Sequence, residues 1–163
     1  MGITYSQEQI LDLLQQVKDP EIPVLSVVEL GVIEILQCDE TLVLVELVPT
    51  FAGCPASEMM RLDAETVLKS AGIAAQVIVN RNKLWTSNRI SETGKQKLKE
   101  FGLAPPPLLE HDEFISLTVL QSAQCPVCNS LDTFMMNAFG PTSCRSVHHC
   151  NNCHETFEQF KPL

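Results

Sequence analysis

Leu42-Val43-Leu44-Val45-Glu46-Leu47-Val48, followed by Pro49-Thr50-Phe51-Ala52-Gly53-Cys54-Pro55-Ala56, decides how this chain folds. The first seven residues are almost continuously apolar, as expected of a strand buried on both faces. A turn follows, in which Gly53 offers backbone freedom. An amphipathic helix is then predicted from about Pro55 to Ser70, because proline suits a first helical position. Ala56, Met60, Ala64, Val67, Leu68 and Ala71 recur at helical spacing and form its core face. Met59 and Met60 read as packing residues rather than metal ligands. This places Cys54 at the helix N-cap, facing free backbone N–H groups and the positive end of the helix dipole. Such a site favours thiolate and can lower a cysteine pKa from about 8.5 toward roughly 3.5–7.5. The alternative is a small, half-buried cap residue.

The neighbouring elements are read outward from this unit. Ser6-Gln7-Glu8-Gln9 forms a capping box, and Ile10, Leu13, Leu14 and Val17 continue a helix to Lys18, where Asp19-Pro20 stops it. Asp19-Pro20-Glu21-Ile22-Pro23 is a rigid loop with two carboxylates. They can serve a cation, a thiol or a proton, or merely make a turn. Leu25 to Gly31 is a short irregular segment ending in a glycine turn. Val32–Leu36 and Leu42–Val48 are the strands of a hairpin, and Cys38 beside their turn reads as incidental. Ala74–Val79 is a third strand, Asn80-Arg81-Asn82-Lys83 a polar turn, and Leu84-Trp85-Thr86 is extended. Ser91 caps a last helix carrying Leu98 and Phe101, closed by Gly102. Pro105-Pro106-Pro107 marks a linker. The expected architecture is α+β: a helix-strand-strand-helix-strand-helix domain over 1–107, then an all-β unit over 108–163.

The composition, 45% hydrophobic and 19% charged, is that of an ordinary globular protein. The net charge of −9, from 20 acidic and 11 basic residues, argues against a nucleic-acid backbone as partner. No apolar run reaches the roughly 18 residues of a membrane span, and no secretory signal is visible at the N-terminus. Seven cysteines in that setting suggest metal or thiol chemistry in a reducing, cytoplasmic compartment.

The second unit opens with a half-buried strand, in which Ile115, Leu117 and Val119 alternate with polar residues. It then carries Cys125-Pro126-Val127-Cys128 and Cys150-Asn151-Asn152-Cys153, with 21 residues between the pairs. Two Cys-x-x-Cys knuckles can complete one tetrahedral shell, so these four cysteines are the expected ligands of a single structural zinc. Rubredoxin-type iron is the competing metal. A full shell leaves no open position for catalysis. Cys144, His148, His149 and His154 lie nearby and can replace a ligand or sit at the surface. Phe134, Phe139, Phe157 and Phe160 are expected to form the core of this unit. Arg145 and Lys161 are outnumbered there by Asp132, Glu155 and Glu158, so nucleic acid is again a poor partner.

Asp19-Pro20-Glu21-Ile22-Pro23, Leu30-Gly31 and Pro49-Thr50-x-x-Gly53-Cys54-Pro55 resemble the family of small iron–sulfur assembly proteins that includes the bacterial SufT-type proteins. Trp85-Thr86-Ser87-Asn88-Arg89-Ile90-Ser91, Gly102-Leu103-Ala104-Pro105-Pro106, Phe139-Gly140-Pro141-Thr142-Ser143-Cys144 and the cysteine-rich unit narrow it. They resemble the accessory-subunit family of the multicomponent phenylacetyl-CoA epoxidase. The resemblance implies a cytoplasmic accessory protein of phenylacetate catabolism, not itself the epoxidase, with a role in iron–sulfur cluster assembly. Its implied partners are protein clients, epoxidase or reductase subunits, without nucleic acid or membrane; a homodimer is compatible. The family's functional thiol falls on Cys54, which would hold iron or a cluster transiently, with Asp19, Glu21 and Thr50 in support. Val48 stands where similar proteins often have threonine, and Glu29 where aspartate is common. The chain has no Glu-x-x-His pair and no dinucleotide-binding glycine motif, which sets epoxidation itself aside. Two other classes remain: a thiol enzyme with Cys54 as nucleophile, and a zinc-stapled adaptor without chemistry.

Overall fold

The strand β2 (Val43–Leu47) lies between two others, and its burial follows from that position. The computed structural model describes residues 5–109, 121 and 123–163. The first sheet has the order β1-β2-β3, with β1 at Ile33–Cys38 and β3 at Ala75–Val79. β1 runs antiparallel to β2, pairing Ile33 with Leu47 and Cys38 with Val43. β3 runs parallel to β2, pairing Val43 with Ala75 and Leu47 with Val79. A parallel pair needs a long crossover. The helix α2 (Ser57–Ser70) supplies it and packs on β3. Val43, Val45 and Leu47 are buried, each contributing about 1.5–3 kcal/mol.

Glu46 is buried on the same strand, directly opposite Glu34 of β1. Like charges so placed repel. Lys83 answers both: its ammonium bonds Glu34 and lies 3.1 Å from Glu46 Oε2. Asn80 donates from Nδ2 to Glu46 Oε1 at 2.9 Å. The carboxylates of Glu34 and then Glu46 hold the Lys83 pKa above its ordinary value. The turn Asn80–Lys83 is therefore a polar clasp on the sheet.

The first helix, α1 (Gln7–Leu14), has the expected capping box, with Ser6 Oγ accepting from Gln9 N and Gln9 Oε1 from Ser6 N. It ends earlier than Lys18. The chain turns out because Val27 N donates to Val17 O and Asp19 N to Leu25 O, pairing Lys18 with Ser26. The segment after it is more regular than its sequence suggested. Ser26 Oγ accepts from Glu29 N and Glu29 Oε2 from Ser26 N, both at 3.0 Å, a second capping box. This single helical turn closes on Gly31, at φ 71°, with Gly31 N bonded to Val28 O and Val32 N to Val27 O. That is a Schellman stop, which glycine adopts without strain. Trp85 is buried, and its Nε1 donates to Leu30 O.

The chain forms two compact units that divide between Trp85 and Thr86. The helix α3 (Glu92–Glu100), capped by Ser91 Oγ on Gly94 N, thus lies with the cysteine-rich unit. So does β4 (Leu103–Ala104), which the sequence did not suggest as a strand. It pairs in parallel with β7 (Thr156–Phe160), in a second sheet of order β4-β7-β6-β5. Here β5 is Thr133–Asn137 and β6 is Arg145–Cys150, both in antiparallel ladders. The compact unit therefore begins earlier than the 107/108 division expected from the prolines. The strand expected around Ile115, Leu117 and Val119 lies outside the described residues.

Ser26 is fully buried, and its hydroxyl also donates to Gln15 Oε1 at 2.6 Å. Ser26→Ala should cost about 1–2 kcal/mol. The loss is read as a lower urea midpoint with an unchanged slope.

Candidate functional site

The cysteine cage is built from two knuckles of the same design. In the first, Cys125 N donates to Ser130 O at 3.0 Å and Asn129 N to Cys125 O at 2.9 Å. In the second, Cys150 N donates to Glu155 O and His154 N to Cys150 O, both at 2.9 Å. Asn129 and His154 follow the second cysteine of each knuckle and take positive φ, 60° and 63°. The four Sγ atoms all lie within 4.8 Å of one another. Two of the separations are 3.7 Å (Cys125 to Cys153) and 3.5 Å (Cys128 to Cys150). A tetrahedral ion with thiolate bonds of about 2.3 Å requires edges of about 3.8 Å. The arrangement fits one metal ion.

Its electrostatics point the same way. The Asn152 side-chain amide, at 3.5 Å, leads the effects that lower the Cys128 pKa to about 6. At Cys153 the Glu155 amide pulls down, but burial and the neighbouring thiols outweigh it and push the thiol up to about 12. Four thiols this close cannot all ionise unless a cation shares the space. Among the described residues this is the only cluster of three or more metal-ligating side chains.

Among the described residues none of the nearby candidates joins the four-cysteine cluster. His148 is fully buried rather than at the surface: Ser146 Oγ lies 2.9 Å from its Nε2, and Phe157 stacks on its ring. Burial holds its pKa below the ordinary value. His149 lies against Phe134, and His154 is exposed. Cys144 is buried beside the Thr142 hydroxyl at 3.2 Å. Of the four phenylalanines expected in the core, Phe157 and Phe160 are buried. Phe134 and Phe139 are exposed, Phe139 beneath the Lys161 ammonium. Among the described strands β5 lies at the edge of its sheet.

The other thiol of interest, Cys54, sits where β2 gives way to α2, and it is half-buried. It is not the helix N-cap, as expected; Ala56 holds that place without a side-chain bond. Pro55 and Ala56 form a turn ahead of the first helical residue, Ser57. Ser57 was missed by sequence reasoning, although a serine three residues after Cys54 was the available signal. Fully buried, it donates to Cys54 O through Oγ at 2.8 Å and through its amide at 3.3 Å. Arg81, also missed, donates to Ser57 Oγ from Nη2 at 3.4 Å. Cys54 N in turn donates to Phe51 O. Thr50 is buried on the same loop.

Gly53 does not have positive φ, and a Cβ there would meet only the Phe51 ring, at 3.8 Å. The turn does not need glycine. Asp19 is buried, and its Oδ1 accepts from Glu21 N at 2.7 Å and Ile22 N at 3.0 Å. Its carboxylate shapes its own loop, while Glu21 is exposed. Asp19 also lines a groove of about 390 Å³ with Lys18, Pro20, Asp63, Thr66 and Val67. Glu29 serves the Ser26 box, so a longer acid is accommodated there. Cys38 donates from Sγ to Tyr5 O and takes no part in a site.

A small α+β sheet domain with a loop thiol, joined to a β-sheet ribbon with a four-cysteine cage, defines an iron–sulfur-assembly-type protein with an appended zinc ribbon. Residues 7–79 match the iron–sulfur cluster assembly protein family, and residues 111–161 match the PaaD zinc beta ribbon domain. With these matches and the relative that follows, the chain belongs to the PaaD family. A putative subunit of 1,2-phenylacetyl-CoA epoxidase from Escherichia coli (strain K12) is 32% identical over 155 residues, 94% of this chain and 91% of that one. Two solved structures share the fold. A domain of unknown function, DUF59, from Bacillus anthracis is 26% identical with a TM-score of 0.52, over 56% of this chain and 90% of its own. A conserved hypothetical protein from Thermotoga maritima is 30% identical with a TM-score of 0.51, over 63% of this chain and 100% of its own.

Two outcomes are expected. Cys150→Ser should remove the bound metal, counted as one ion per chain by elemental analysis, and unfold the ribbon at temperatures where the parent is stable. Gly53→Ala should leave the urea-unfolding free energy unchanged or raise it by up to about 1 kcal/mol.

Proposed function

We propose that this protein is an accessory factor for a multicomponent phenylacetyl-CoA epoxidase, working on the iron or iron–sulfur centre of a client subunit. One observation carries the reading. The region matching the assembly family presents a half-buried cysteine, Cys54, in the loop that leaves the carboxyl end of its central strand. The other cysteine of that region, Cys38, is engaged with Tyr5 O. All four ligands of the ribbon cage are committed to one another. In this reading Cys54 takes up and releases cargo, with iron or a cluster as the substrate being passed, because it lies in the assembly-family region at the rim of the sheet. Thr50 and the Asp19–Glu21 loop belong to the same functional unit in this reading. Ser57 holds the backbone of Cys54 in place by its two bonds to the carbonyl.

The ribbon ion is zinc in this reading. A closed shell of four thiolates gives a redox-inert ion that supplies folding free energy and no open position. Cys125, Cys128, Cys150 and Cys153 are its ligands, and the ribbon docks the client, an epoxidase or reductase subunit. The name of the E. coli relative, an epoxidase subunit, supports protein partners of that kind. The protein itself performs no epoxidation and works in the cytoplasm. No helix among the described residues is long and apolar enough to cross a membrane.

Cys54→Ala tests the proposal. Folding and the ribbon metal should be retained, while client subunit produced with the variant should lose most of its iron and its activity. Normal iron content in that client would overturn the reading.

A further inference from the structure

The outer face of α2 carries an apolar row that the fold does not use. Its inner face is fully engaged, with Met60, Ala64 and Leu68 buried. Opposite them, Met59, Leu62 and Thr66 follow one another at spacings of three and four, which stacks them along one side of the helix, and the exposed Pro55 stands in the turn ahead of it. Met59, read from the sequence as a packing residue, is 55% exposed, and Leu62 is 50% exposed. With Pro55 the row begins next to Cys54. At its other end Thr66 and Asp63 line the groove shared with Lys18, Asp19, Pro20 and Val67.

The charges along this row are unequal. On one flank Glu58, Arg61, Glu65 and Lys69 neutralise one another in a chain of ion pairs. On the other flank the Asp63 carboxylate has no hydrogen bond or ion pair among the described residues. The whole chain carries −9. A second copy would bring like charges together, whereas a basic partner is attracted and steered.

We infer that this face seats a segment of the client protein: an amphipathic helix whose apolar residues cover Pro55, Met59 and Leu62, with a Lys or Arg placed on Asp63. Helices pack on one another through rows of side chains at spacings of three and four, and such a row is what this face presents. The inference rests on the proposed maturation role and adds where the client lies when cargo moves. The seated segment borders Cys54, so the client's own ligands are brought to the thiol. The small apolar area suits a transient complex rather than a permanent one.

The test uses the full-length protein and the purified epoxidase subunits, with binding followed by interferometry across a salt series. The double variant Met59→Ser and Leu62→Ser should weaken binding to its client subunit at least tenfold, with circular dichroism and ribbon metal unchanged. Asp63→Lys should slow association several-fold and flatten its salt dependence. A photocrosslinker at position 62 should capture that same subunit. Undiminished affinity in the double variant overturns the inference. So does crosslinking of one copy of this chain to another, or of no subunit at all. Cys54→Ala separates the two readings. Full binding by that variant with normal client iron removes the maturation role and leaves the docking face standing. Lost iron together with unaffected binding of the double variant does the reverse.

Discussion

Burial of β2 on both sides is the constraint on which the first unit depends. A strand so placed needs a neighbour at each edge, and the two neighbours differ in kind. β1 comes from a hairpin and is antiparallel, while β3 is parallel and must be reached by a crossover. The crossover leaves from the carboxyl end of β2, so the loop 48–56 is forced to that end of the sheet. In parallel sheets the carboxyl ends are where ligands are met. Cys54 owes its position to this connection more than to any feature of its own loop. Glu46 is the cost of the arrangement, a buried carboxylate facing another across the ladder. Lys83 and Asn80 offset it from the turn after β3. The same turn supplies Arg81 to Ser57, so the clasp that answers Glu46 also reaches the residue holding Cys54.

The two kinds of cysteine differ in their surroundings, and under the proposed function the difference matches two physical tasks. In the cage, the thiols crowd until only a cation can stabilise them together, and a tetrahedral shell then has no free position. An ion held that way does not exchange readily. A thiol that passes cargo must have the opposite surroundings: one sulfur, partly open, on a backbone fixed by something other than the metal. Cys54 has these, through the bonds of its carbonyl to Ser57 and of its amide to Phe51.

What could be read from the sequence follows from the range of the interactions. The strands 43–47 and 75–79, the capping box at Ser6 and the Ser91 cap were legible because each depends on periodicity or on residues three apart. The four cage ligands were legible because a knuckle is a local motif. The elements that were not legible depend on distant partners. α1 ends at Leu14 because Val17 and Lys18 are drawn to Val27 and Ser26. Leu103–Ala104 becomes a strand only because β7 offers it an edge. His148 looked like a surface residue because a unit this small has little interior, yet strand alternation puts it inside. The Ser26–Glu29 box has the right residues three apart, but one helical turn is too short to show periodicity. Cys54 was placed at a cap because proline favours a first helical position, but here the proline occupies the preceding turn.

The interiors of the two units are made of different material. In the second unit, one buried cluster consists of Ala104, Ala123, Cys125, Cys150 and Phe157, with Cys128 and Cys153 packed against it. Counting the two packed against it, the cage cysteines are four of its seven residues, so this part of the interior depends on a cation for its cohesion. Asn129 and His154 add strain, since non-glycine residues at positive φ cost of order 1–3 kcal/mol. Both lie directly after cage cysteines, where a bound ion would fix the knuckle and offset that cost. The first unit has the reverse balance. Its strands, α1 and α2 bury enough aliphatic side chains to stand without a metal. A domain that needs no cysteine for its core can leave one at its rim, and that is the physical condition for Cys54 to serve in exchange.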